Sequence, residues 1–195
     1  PFSVAIGGGA ALLYATLQAA PLAVLRRAAA PLAVTLTVAC ALWGAVNLRS
    51  VLNPTTVIAT AADRAAVAWV AANTPPESRF LINASPWLGI ARRGSDGGWW
   101  LLPLAGRWTS TPPVLFTYGP PAYVQETIAR GEAIAAYQPG QEQAILDLMR
   151  RDGIDYLYFG VEPGTLRPEA FAALPELTTV YSRDGVTILA RRSQS

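Results

Sequence analysis

The chain has no histidine and no lysine; all 15 of its basic residues are arginine. Without histidine there is no Ser-His-Asp or Cys-His arrangement, and most zinc sites are excluded as well. A single cysteine, Cys40, rules out an intrachain disulfide and any cysteine-based metal cluster. It lies inside a hydrophobic run and reads as a small buried apolar residue. Acidic residues are missing from the first 62 positions, where Arg26, Arg27 and Arg49 are the only charges. From Asp63 onward, 13 acids face 12 arginines, a net of −1. The formal charge of +2 is therefore the sum of a charge-poor segment and a balanced one, not a basic surface for nucleic acid.

Two uncharged runs occupy the charge-poor part, residues 2–25 and 28–48. A helix needs about 20 apolar residues, at roughly 1.5 Å each, to cross a hydrocarbon core of about 30 Å. Both runs reach that length, so two transmembrane helices are expected within residues 1–50. Gly7, Gly8, Gly9 and Pro21 weaken or kink the first run, and its small residues suit close packing against further helices. A signal peptide fits poorly, because the apolar run has no basic region ahead of it and is too long. Arg26 and Arg27 are expected in a tight cytoplasmic turn, which places everything after Arg49 outside the cytoplasm. The chain begins with Pro1, which reads as a piece of a longer protein.

Residues 51–62 read as an uncharged linker, and 63–195 as one soluble α/β domain of ordinary size. A helix capped by Asp63 is expected to end at Asn73-Thr74-Pro75-Pro76, followed by a strand at 79–83. The middle, 84–121, is irregular in pattern. Helices are expected at 121–137 and 140–151, the second burying Ile145, Leu146 and Leu148 or Met149. Asp152-Gly153 closes it ahead of a strand at 154–160. Runs 178–183 and 186–191, joined by Asp184-Gly185, read as a hairpin with a two-residue turn. Alternating helices and strands with a closing hairpin predict an α/β fold with a mixed sheet.

No sequence pattern marks a catalytic residue, a cofactor site or a metal site. Gly7-Gly8-Gly9 has no strand before it, and Gly94, Gly97 and Gly98 match neither GxGxxG nor a Walker loop. Asp152 and Asp155 read as a turn residue and a strand-start residue. Asn83-Ala84-Ser85 matches a glycosylation sequon that Pro86 disfavours. One stretch stands out: Trp99, Trp100, Arg107 and Trp108, with Trp87 and Tyr118 nearby. Aromatics beside arginine suit sugar stacking and phosphate pairing, a membrane-interface belt, or the core beneath a long loop.

The order of features is familiar. Hydrophobic segments precede an Asp63-led helix with Trp69, then Asn73-Thr74-Pro75-Pro76 and Arg79-Phe80-Leu81. Next come Gly98-Trp99-Trp100-Leu101-Leu102-Pro103-Leu104-Ala105-Gly106-Arg107, then Ile154 to Gly160 (IDYLYFG) and the hairpin. This layout resembles the C-terminal end of bacterial multi-pass membrane proteins related to GT-C glycosyltransferases, the dolichyl-phosphate-mannose protein mannosyltransferase-like group. The resemblance implies a polytopic enzyme with a polyprenyl-phosphate sugar donor, the bilayer and further helices of the same protein as partners, and an extracytoplasmic soluble domain. The family's acidic catalytic residues lie in an early extracytoplasmic loop that has no counterpart here, so none is carried over. Trp99, Trp100 and Arg107 become candidate glycan or lipid-phosphate contacts. The competing expectations are an anchored, non-enzymatic domain that binds a partner or envelope glycan, and a structural cap on an uncharacterised membrane protein.

Overall fold

A computed structural model describes residues 2–19, 21, 23–48, 57–89 and 91–192. The chain divides into two compact units, Pro1–Thr56 and Val57–Ser195. In the first, helix α1 (Phe2–Gln18) packs against helix α2 (Ala23–Leu48). Only one described helix segment, Arg27–Leu48, is long and apolar enough to cross a membrane, so the expectation of two spans is corrected to one. The reason is length. The first run breaks near Pro21, and the 17 residues of α1 reach about 25 Å, short of a hydrocarbon core of about 30 Å. Arg26 and Arg27 are not in the turn either. They fall within the N-terminal part of α2, and Pro31 lies in the helix interior. Only 6% of the apolar window of Arg27–Leu48 is buried within this chain, and Leu36, Leu42, Trp43 and Val46 are exposed.

The second unit is a mixed α/β sandwich. Of the expected linker 51–62, residues 57–60 group with this unit and Ala61 and Ala62 open its first helix, while 51–56 lie outside the described residues. Helix α3 (Ala61–Asn73) is capped by Thr60, and Asp63 is its third residue. The Thr60 side chain accepts from the Asp63 N–H, and the Asp63 carboxylate accepts from the Thr60 N–H at 2.8 Å, a reciprocal capping box. Asp63 was expected as the cap; the hydroxyl three residues earlier takes that place.

The five-stranded sheet runs β4-β1-β5-β7-β6. Strands β1 (Arg79–Ile82), β4 (Trp108–Thr109) and β5 (Tyr156–Phe159) are parallel. β7 (Val186–Arg191) runs antiparallel to β5, and β6 (Leu177–Arg183) pairs with β7 through a register shift between Thr179 and Tyr181. The β6–β7 turn is the expected one: Asp184 and Gly185 both take positive φ, 50° and 83°, between the paired residues Arg183 and Val186.

Side chains alternate across the sheet. Phe80, Ile82, Tyr158 and Ile188 face α3 and helix α4 (Leu101–Ala105), packing on Ala66, Val67, Val70 and Leu101. Leu81, Leu157, Phe159 and Leu189 form the opposite core with helices α5 (Pro121–Ala135), α6 (Glu142–Arg151) and α7 (Pro168–Ala172). Leu148 and Met149 are both buried beside Ile145 and Leu146. The middle is less irregular than its sequence suggests. It holds a small antiparallel hairpin, β2 (Ala84–Pro86) with β3 (Arg92–Gly94), 3-10 turns at Gly97–Trp100 and Val114–Tyr118, and α4 and β4.

Candidate functional site

The tryptophan-rich stretch does not assemble one binding surface. Arg107 is buried and gives its donors to the carbonyl end of α3. Its Nε donates to Thr74 Oγ1 at 3.1 Å, Nη1 to the Ala105 carbonyl at 2.7 Å, and Nη2 to the carbonyls of Ala71 at 3.1 Å and Thr74 at 2.7 Å. A guanidinium there satisfies helix-end carbonyls and complements the dipole, leaving no fork free for a phosphate. Trp99 packs on Gly94 so closely that a Cβ at Gly94 would come within 2.6 Å of it. Trp108 meets two guanidinium groups, Arg79 at 4.1 Å and Arg130 at 4.9 Å from the ring centre. Trp100 is 43% exposed and is the only one of Trp99, Trp100 and Arg107 open to a ligand.

Asp152 and Asp155 are likewise structural. Asp152 pairs with Arg130 at 2.6 Å and with Arg151 at 2.8 Å. Burial works against its charge, but the hydrogen bonds from Arg151 and Arg130 outweigh burial and hold its carboxyl below the usual range. Asp155 accepts from the Arg79 N–H at 3.0 Å and so fixes the start of β1.

The polar cluster that the fold does build lies at the C-terminal edge of β1 and β5. It draws Asp63 from α3, Asn83 from the end of β1, Asp96 from the turn after β3, and Tyr158 and Gly160 from β5 and its exit. Asp63 Oδ1 accepts from the Tyr158 hydroxyl at 3.0 Å and from the Val161 N–H at 3.3 Å. Its Oδ2 accepts from the Thr60 N–H and hydroxyl, both at 2.8 Å. Asp96 Oδ1 accepts from the Gly98 N–H at 3.0 Å; Oδ2 accepts from Asn83 Nδ2 at 3.0 Å and from the Gly160 N–H at 3.2 Å. The Asn83 amide oxygen accepts from the Leu166 N–H at 2.8 Å. Burial pushes Asp96 up to about 7, against the hydrogen bonds from Asn83, Gly160 and Gly98, with the Asp63 charge adding to the rise. Burial also raises Tyr158, reinforced by the charges of Asp63 and Asp96.

Two buried carboxylates at the C-terminal edge of parallel strands occupy the place where α/β folds commonly bind ligands. Here the place is closed. Asp63, Asp96 and Asn83 are buried, and every carboxylate oxygen already accepts a hydrogen bond. A Cβ on Gly97 would meet Asp63 at 2.2 Å, and one on Gly164 would meet Asn83 at 2.0 Å. The neighbouring cavity, lined by Asn83, Gly160, Gly164 and Arg167, has about 140 Å³, well under the roughly 300 Å³ at which small-molecule sites begin. The cluster ties α3, the 96–98 turn and the 160–166 segment to the strand ends. It is a lock rather than a reaction centre. Among the described residues, no three side chains of metal-ligating type converge.

The sequence marks Asn83 only as a sequon residue and gives Asp96 and Tyr158 no site role, although Thr60-x-x-Asp63 and Asp96-Gly97-Gly98 carry readable capping signals. The sequon asparagine is buried with both ends of its amide engaged, so the folded domain does not offer it for glycosylation. No family model, curated protein or solved structure matches the chain.

Proposed function

We propose that this chain is the anchored C-terminal module of a multi-pass membrane glycosyltransferase that uses a polyprenyl-phosphate sugar donor, with the catalytic groups elsewhere in the protein. The supporting observation is the pairing of an exposed, membrane-length helix, Arg27–Leu48, with an α/β domain whose buried carboxylates are closed to substrate. Such a domain fits an accessory role. The layout resemblance supplies the glycosyltransferase class. Arg26 and Arg27 at the N-terminal end of the span favour a cytoplasmic start, and therefore an extracytoplasmic domain.

A second reading, an anchored non-enzymatic domain that binds a partner or envelope glycan or caps a membrane core, is favoured by one observation. Arg107 is engaged internally, which leaves Trp100 alone as an open candidate contact. A transfer assay on the full-length protein with polyprenyl-phosphate sugars separates the two. Measurable transfer that falls on Trp100→Ala while Arg107→Ala loses folded protein supports the first reading. No transfer from any such donor by well-folded full-length protein removes it.

A further inference from the structure

Three segments of the soluble domain leave large apolar side chains in water. The β2–β3 turn presents Trp87 and Leu88, the latter 79% exposed. The 3-10 turn Val114–Tyr118 presents Leu115 and Tyr118, 77% and 87% exposed. The first turn of α5 adds Tyr123. These segments share one end of the fold. The chain enters the β2–β3 hairpin on leaving β1 at Ile82, and enters the second turn on leaving β4 at Thr109, both at the C-terminal edge of parallel strands. Helix α5 packs against β2, β3 and the 3-10 turn, which holds the three together.

Isolated exposed leucines are ordinary, but tryptophan, tyrosine and leucine gathered at one edge match the composition of a bilayer interface. Arg93 lies with its guanidinium 4.3 Å from the Trp87 ring centre, and no carboxylate pairs with it among the described residues. An indole with a guanidinium on its face suits the headgroup region, where the ring sits among glycerol and carbonyl groups and the cation meets lipid phosphate. Covalent reach favours the same occupant. Leu48 ends the membrane-length helix and Val57 opens the domain, and nine peptide steps span at most about 30 Å. A domain tethered that closely meets the bilayer surface at high effective concentration.

We propose that this edge docks on the bilayer interface, with Trp87, Leu88, Leu115, Tyr118 and Tyr123 entering the headgroup layer and Arg93 pairing with anionic phosphate. The inference rests on Arg27–Leu48 crossing the membrane, and native Cys40 within that helix reports on it independently. The test is spin labelling of the full chain in nanodiscs of phosphatidylcholine with phosphatidylglycerol. Labels go on Leu88→Cys, Leu115→Cys and, as a control beside the start of β1, exposed Glu77→Cys, each in a Cys40→Ser background. A fourth sample carries the label on Cys40.

Collision with a water-soluble nickel chelate should fall several-fold at Leu88 and Leu115 relative to Glu77, while oxygen collision rises. Collision at Leu88 and Leu115 equal to that at Glu77 overturns the docking. So does shielding from both reagents, which would mean that protein covers the edge. A lipid signal from Cys40 in either case leaves the anchor standing; an aqueous signal from Cys40 removes the anchor itself.

Discussion

Arg93 and Arg107 belong to the same tryptophan-rich stretch and have opposite surroundings. Arg107 is buried and makes four hydrogen bonds, tying off the end of α3. Arg93 lies across the indole of Trp87, at the base of a turn whose apolar side chains face water. Residue type and proximity in sequence are shared; burial and the number of hydrogen-bond acceptors are not. The same contrast separates Trp108, in contact with Arg79 and Arg130, from Trp87 beside exposed Leu88. One half of the stretch holds the domain together, and the other half is free to contact something outside it.

The largest effect should come from the closed side and depend on pH. Asp96 titrates near 7 when folded, and an unfolded aspartate near 3.9. A raised carboxyl favours folding while protonated, so its contribution is complete below about pH 4 and is lost as pH rises to about 7. The upper bound is about 4 kcal/mol, at roughly 1.4 kcal/mol for each tenfold change in proton affinity between the two states. Melts of the full chain in nanodiscs from pH 4 to 8 should show this decline. Asp96→Asn should flatten it, at a cost of about 1–3 kcal/mol at low pH because one facing N–H loses its acceptor. An equally steep decline in Asp96→Asn would assign the pH dependence to another group.

Next in size, Arg107→Ala should destabilise the domain by about 2–4 kcal/mol, because the carbonyls of Ala71, Thr74 and Ala105 lose a buried partner. Arg107→Lys should recover little of this, since an ammonium cannot reproduce the planar fork. Denaturant midpoints of the two variants provide the check. On the open side, Tyr118→Ser should change stability by no more than about 0.5 kcal/mol. A loss comparable to that of Arg107→Ala would show that the exposed edge is also part of the fold's support, and the contrast between the two arginines would collapse.

Much of the fold was legible because its elements are locally consistent. The α6 pattern, Asp152-Gly153, the IDYLYF strand and Asp184-Gly185 each agree with their final context, with Gly153 at φ 60° and the Ile154 N–H returning to the Met149 carbonyl. The middle was not legible, because β2, β3 and β4 are only two or three residues long, and β4 is defined by its pairing with the distant β1. In the first hydrophobic run the warning from Pro21 outweighs the length of the uncharged stretch, and α1 stops at Gln18 after 17 residues. The candidate site was read for its residue types, and Trp100 alone of the three remained open. The polar lock is not legible in the sequence, because Asp63, Asn83, Asp96 and Tyr158 come from four separate segments and their meeting is a property of the sheet.

The two margins of the five-stranded sheet bear on how the domain tolerates company. On one margin β4 offers only Trp108 and Thr109; on the other, the β6 ladder is broken by the shift between Thr179 and Tyr181. A two-residue margin and an irregular one are poor templates for recruiting a strand from a neighbouring molecule. Copies of this domain brought together would find no long, straight, unpaired margin on the five-stranded sheet along which to join.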